Sequence, residues 1–276
     1  MSQAESPLQG AFPRPGKVLR GVLIAIFAIW LAFAIGINWA GASSSVFFLL
    51  CGNTERVLQG EVWRLFTAPW MHLPTGTLGH VASAMLGLYF LSHALEERWG
   101  SARFARFLFV SALFAYGVQM LFELVLPASL SQRLVGEYWI GAIPVVEAVA
   151  IAWALSFRGQ VVRLFFVLPV TSRGLIFFVV GMSVLLVIIA AQSPSGLIAP
   201  FGGMLAGWLF GGGSPSPWRR AWLKLRLAQL DAEARREGRS RRQRVERTGL
   251  KVIEGGRKGD KDKEDDRPPG RGGWLN

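Results

Sequence analysis

The chain has 276 residues, 51% of them apolar, a single cysteine and a formal net charge of +12. One cysteine, Cys51, excludes an intramolecular disulfide and a cysteine-based zinc site. The charge sits mostly in the C-terminal tail, while apolar residues form long, charge-poor blocks from Lys17 to Gly213, which excludes an ordinary soluble domain.

Residues 1–16 carry three prolines and little periodicity, and read as a short disordered leader. An apolar run of about 18 residues or more can cross a bilayer core as a helix. The first such run is Val18–Ala40. It is longer than a signal-peptide core, so an uncleaved first helix is expected although Ala40-Gly-Ala42 loosely resembles a cleavage site. Ser44–Leu50 is semi-apolar and leads into a polar loop, about Cys51–Thr77. Further spans are expected at about Leu78–Leu95, Phe104–Leu126, Trp139–Phe157, Leu175–Gln192 and Leu197–Gly211. Pro194-Ser195-Gly196 separates the last two. These blocks are too long for barrel strands, and only helices or closed barrels satisfy the backbone in lipid. The expected fold class is therefore all-α: a polytopic bundle of six transmembrane helices over residues 17–213.

Loop arginines and lysines orient such a bundle. Arg14, Lys17, Arg20, Arg98, Arg103, Arg106, Arg158, Arg163 and Arg173 fall on one side, against Arg56, Arg64 and Arg133 on the other. Nine against three places both termini in the cytoplasm, and the basic tail agrees; a bacterial inner membrane or a plasma membrane is the expected location. Residues 214–254 read as a basic amphipathic juxtamembrane helix, with Trp218, Trp222 and Leu225 at i, i+4 and i+7. Residues 255–276 are Gly, Lys, Asp and Pro, and cannot bury enough apolar area to order themselves.

Gly60-Glu-Val-Trp-Arg64, Met71-His72, a histidine at the start of the second span (His80) and Ala94-Leu-Glu96 followed by Gly100 together resemble the first loop and second helix of the rhomboid intramembrane serine proteases. The likeness extends over about Val18–Gly211 in span number, loop lengths and orientation. It implies a rhomboid-like six-helix fold, but each position carrying the family's chemistry departs. The family's second helix reads His-x-x-x-Asn; here it is His80-Val-Ala-Ser-Ala84, with Ala84 where the oxyanion-hole Asn belongs. The nucleophile motif Gly-x-Ser-Gly is matched by Gly141-Ala-Ile-Pro144, so Ile143 stands for the serine. Ala-His-x-x-Gly on the sixth helix is matched by Ala199-Pro-Phe-Gly-Gly203, so Pro200 stands for the histidine base.

An independent check agrees. A serine nucleophile needs a base within hydrogen-bond reach. The only histidines are His72, His80 and His93, so no shift of register puts a base on the sixth span. Losing one oxyanion donor alone costs roughly 10²–10³ in rate. The resemblance thus points to a catalytically degenerate, pseudoprotease-like protein.

Glu147 stands in the middle of the fourth span, where an acid costs on the order of 2.5–3.5 kcal/mol to insert. It follows Ile143 by one helical turn. Two readings stay open: a polar anchor or contact for a client helix, or a neutral packing residue bonded to a carbonyl or serine. His80 reads as a helix-start residue near the interface. No metal is expected, since His72, His80 and His93 lack a ligand spacing such as i, i+4, and no cofactor is implied. Gly203, Gly207 and Gly211 recur every four residues and suit close packing of the sixth span on the fourth. Trp63-Arg64 is expected to pin the first loop at the outer interface. The arginine-rich tail suits anionic lipid headgroups; no nucleic-acid-binding signature accompanies it.

Three functional classes follow. The first is a non-enzymatic module that binds or retains transmembrane client proteins. The second is an active intramembrane serine endopeptidase with displaced residues, for example His80 beside Ser83, or Glu147. The third is a small transporter with Glu147 as a proton relay, which calls for broken helices or inverted repeats that the sequence does not show.

Overall fold

A computed structural model of the chain describes residues 14–76, 78–164, 168–189, 193–212 and 217–249. Residues 1–13 of the expected leader and the expected disordered tail, 255–276, lie outside them. A first compact unit ends at Trp222 and a second begins at Leu223.

The first helix, α1 (Lys17–Asn38), has no acidic residue in its opening turn, and the first backbone N–H groups of a helix lack intrahelical partners. Glu96 supplies the partner: its carboxylate accepts from the Val18 and Leu19 N–H groups, each at 2.9 Å, and from Ser101 Oγ at 2.6 Å. The loop after α1 folds into short helices α2 (Ser45–Leu50), α3 (Thr54–Leu58) and α4 (Arg64–Thr67) and a 3₁₀ turn over Ala68–Trp70. Then come α5 (Gly79–Trp99), α6 (Ser101–Val125), the short α7 (Ala128–Leu134) and α8 (Ile143–Ser156). The helices α9 (Ser172–Ile189) and α10 (Ala199–Phe210) complete the bundle.

Among the described residues, α1, α6 and α9 are long and apolar enough to cross a membrane by themselves; α8 and α10 are shorter and apolar. Helix α5 has the length but carries His80, His93 and Glu96. Helix α8 is the hub, packed on α5, α9 and α10, while α10 also lies on α6, and α1 leans mainly on α5. Hydrogen bonds sort the helix ends. Glu96 to α1, Arg98 Nη1 to the Ser156 carbonyl (2.6 Å) and Ser156 Oγ to the Gly211 carbonyl (3.4 Å) gather the start of α1 with the ends of α5, α8 and α10. At the opposite end, the loop end, Gly52 and Trp139 form a bridge, Ile140 N–H donates to the Pro194 carbonyl (2.8 Å), and Leu197 N–H donates to that of Leu134 (2.7 Å).

The fold is mostly helical as expected, with two local differences. An antiparallel hairpin, β1 (Val161–Leu164) and β2 (Leu168–Thr171), joins α8 to α9 with Val161 opposite Thr171. Its β-branched valines and threonine favour extended backbone. The fourth expected span began at Trp139, but α8 starts at Ile143, because Trp139 and Ile140 are committed to loop-end hydrogen bonds. Pro144 fits the first turn, where a missing N–H costs nothing.

The last helix, α11 (Pro217–Thr248), begins before the end of the first unit and continues over the basic segment. Its described leucines, Leu223, Leu225, Leu227 and Leu230, are all exposed.

Candidate functional site

The positions that the family resemblance singles out converge at the loop end of α5, α8 and α10. Ala84 is fully buried in the main core cluster, Ile143 packs against that cluster, and Pro200 is buried one turn before Gly203. None of the three side chains can accept, donate or transfer a proton.

The loop turns His72 into the same region. The His72 and His80 rings lie 5.0 Å apart: His72 comes from the loop after the 3₁₀ turn, so helical spacing does not govern the pair. His72 is 1% exposed. Its Nε2 meets the Ala142 N–H at 3.4 Å, and its Nδ1 meets the Trp70 carbonyl at 3.2 Å. The first contact needs an acceptor and the second a donor, so His72 is held as one neutral tautomer with both nitrogens committed to backbone. Burial, helped by the neighbouring His80, pushes its pKa down to about 4.

His80 lies against Gly141, whose φ of 102° favours glycine. A Cβ there would come within 2.5 Å of His80 Cε1, so glycine is required twice over. The Gly141 backbone is fixed by its N–H to the Ala68 carbonyl (2.9 Å) and by the Tyr116 hydroxyl donating to its carbonyl (2.6 Å). Tyr116 in turn stacks on Trp139 at 4.5 Å. Both ring nitrogens of His80 are buried with no hydrogen-bond partner among the described residues. Ser83, one turn on, donates to the His80 carbonyl at 3.1 Å. Its hydroxyl is thus bonded to its own helix backbone.

Glu147 looks elsewhere. Ser183, buried on α9, is the polar side chain beside its carboxyl group, and its Oε2 is buried without a partner among the described residues. The glycine stripe sets the distance between α8 and α10: a Cβ on Gly203 or Gly207 would land on the Pro144 or Ala148 carbonyl, and one on Gly211 would land on Ala152. Close backbone approach through small residues is how helices pack in lipid.

Arg64 is buried. Its guanidinium donates to the Phe48 (2.6 Å) and Cys51 (2.7 Å) carbonyls and pairs with Glu61 at 2.5 Å. Trp63 is half-exposed and donates to the Leu49 carbonyl at 3.3 Å. Cys51 is buried beside this group, and burial pushes its thiol up to about 12 against the opposing pull of Arg64.

Sequence reasoning missed Gln119. It is fully buried on α6, and its Oε1 accepts the Ala199 N–H at 2.9 Å, capping α10. The signal was there: a lone amide inside an apolar run needs a partner. Among the described residues no group of three His, Cys, Asp or Glu side chains is placed to hold a metal.

Apolar helices of spanning length around a buried polar layer define an integral membrane protein of the helical-bundle class. The Rhomboid domain model matches residues 59–213, more than half of the 276 residues. The chain belongs to the rhomboid family. No curated relative matches it.

Proposed function

We propose that this chain is a non-catalytic rhomboid-family protein, a six-span membrane module that binds or retains transmembrane client proteins. One observation carries the reading: neither histidine at the loop end has a nucleophile to serve. His72 spends both nitrogens on backbone, His80 meets no hydroxyl or thiol among the described residues, and Ser83 is bonded to its own helix. A serine hydrolase needs that nucleophile–base bond and an oxyanion donor beside it; Ala84, Ile143 and Pro200 supply neither.

In this reading α1, α5, α6, α8, α9 and α10 are the six spans. The end holding Lys17, Arg98 and Arg158 faces the cytoplasm with both termini. Glu147 is the polar anchor within the bundle, and α11 lies on anionic headgroups through its arginines. Aromatic Phe47, Phe48 and Tyr138, with Leu73, Ile140 and Pro194, line a loop-end cleft of about 400 Å³ that offers a client apolar contact.

The test is photo-crosslinking. A photoreactive residue in place of Ile143, in protein reconstituted with a transmembrane peptide, should yield an adduct with the mass of the intact peptide. Adducts carrying only a cleaved half would contradict the proposal and favour the protease with displaced residues.

A further inference from the structure

A second cleft lies between α1 and α6. Val18, Val22 and Ile26 form one wall, Ala105, Phe109 and Ala112 the other, and it encloses about 350 Å³. Pro69 and Trp70 from the loop close it towards the loop end, where Phe66 stacks on Phe109 at 5.9 Å. From Val18 to Ile26, and likewise from Ala105 to Leu113, the walls run about 12 Å along each helix at roughly 1.5 Å per residue. The lining is almost wholly apolar. Two cations neighbour its lining residues in the sequence. Lys17 directly precedes Val18, and Arg106 lies one turn before Phe109 and two before Leu113 on the same side of α6. Both are exposed, and the ion pairs among the described residues, Arg56–Glu61 and Arg64–Glu61, involve neither.

We propose that this cleft is a lipid site: one acyl chain of an anionic phospholipid lies between α1 and α6, with its phosphate on Lys17 and Arg106. Shape selects the chain. A helix with side chains is about 10–12 Å across and does not fit so small a volume, whereas an acyl chain is slender and apolar throughout. Charge selects the headgroup, because basic residues between membrane helices at their cytoplasmic end are suited to anionic lipid. The methylene groups would meet Ala142 and Val145, which also line the cleft and flank Ile143. They would also meet Pro69 and Trp70, from the loop that carries His72. The lipid is therefore part of the packing behind the loop-end site. This inference does not depend on whether the chain is catalytic.

Native mass spectrometry of the delipidated full-length protein tests it, with dioleoyl phosphatidylglycerol, dioleoyl phosphatidylcholine and dihexanoyl phosphatidylglycerol as probes. The expected result is one long-chain phosphatidylglycerol retained at least tenfold better than the phosphatidylcholine, with the short-chain lipid lost. Lys17→Gln with Arg106→Gln should remove that preference while leaving retention of the neutral lipid. Ala112→Phe should fill the cleft and abolish retention of both. Ala105→Leu, on the same wall, is the milder variant if Ala112→Phe fails to fold, and should lower retention in the same way. Retention of phosphatidylglycerol unchanged in the cleft variants would overturn the proposal. So would displacement of the long-chain lipid by dihexanoyl phosphatidylglycerol, since both results would put the lipid on the basic helix α11 by charge alone.

Discussion

Helices α9 and α10 both pack on α8, yet they do so by opposite means. Helix α10 buries Ala199, Pro200, Gly202, Gly203, Met204, Ala206 and Gly207, and its glycines let its backbone touch that of α8. Helix α9 buries only Ser172, Leu175, Val179 and Ser183, a single stripe, and leaves Phe177, Ile188 and Ile189 more than two-thirds exposed. Both helices are apolar, so hydropathy does not tell them apart. In lipid an exposed leucine costs nothing, and the tight seam is marked by small residues instead. One seam is fixed by steric fit, the other by a narrow apolar stripe and the Glu147–Ser183 contact.

The largest expected effect breaks the steric seam. Gly207→Leu drives a side chain into the Ala148 carbonyl, which is backbone and cannot rotate away, so it should cost about 3 kcal/mol or more, the upper end for overpacking. Gly181→Leu on α9 is the matched control. A Cβ at Gly181 meets nothing within 4 Å, and thermal unfolding in detergent should show a change within about 0.5 kcal/mol. Equal losses at the two glycines would erase the distinction between the seams.

Next comes the polar seam. Glu147→Lys puts a cation among the spans at a cost of about 2.5–3.5 kcal/mol and removes the contact with Ser183. A sharp fall in folded yield should result. Normal yield would mean that the position faces water.

Acid probes the loop end, which belongs to neither seam. His72 is held neutral by burial, with a pKa near 4 against an ordinary value of 6.5. A folded value below the unfolded one means that the stability is fully present above about pH 6.5 and is lost as pH falls towards 4. Between pH 7 and 5 the loss should be about 2 kcal/mol, read by denaturation at each pH. His72→Gln should remove its share of that slope while the neighbouring His80 still contributes, and an unchanged slope would place the titrating group elsewhere.

The smallest effect is Glu147→Gln. Gln keeps the shape and a polar group beside Ser183, so stability should change by less than about 1 kcal/mol. If client capture nevertheless falls while the fold survives, the carboxyl group acts on the client. Strong destabilisation would instead demand an ionic partner for Glu147.

Much of the fold was legible in the apolar runs, because in a membrane the length of a run is itself the structural signal. The start of α1 and the extents of α6 and α9 fall within a few residues of those runs. The start of α8 was not legible, because Trp139 and Ile140 are as apolar as the helix that follows but are held by loop-end hydrogen bonds. The hairpin was hidden behind Arg158, Arg163 and Arg173, which read only as a basic loop. At the candidate site, the departures at Ala84, Ile143 and Pro200 were visible residue by residue. The meeting of His72 with His80 was not, since a loop rather than a helix brings them together. Nor was the capping of α1 by Glu96, for which sequence offers only a glutamate near a helix end.

The central claim is that no serine here is activated. Incubating the purified full-length protein, in liposomes, with a fluorophosphonate probe and a model transmembrane substrate tests it most directly. The account predicts no labelled serine and no cleavage. Labelling of Ser83, with cleavage abolished by both Ser83→Ala and His80→Ala, would contradict it.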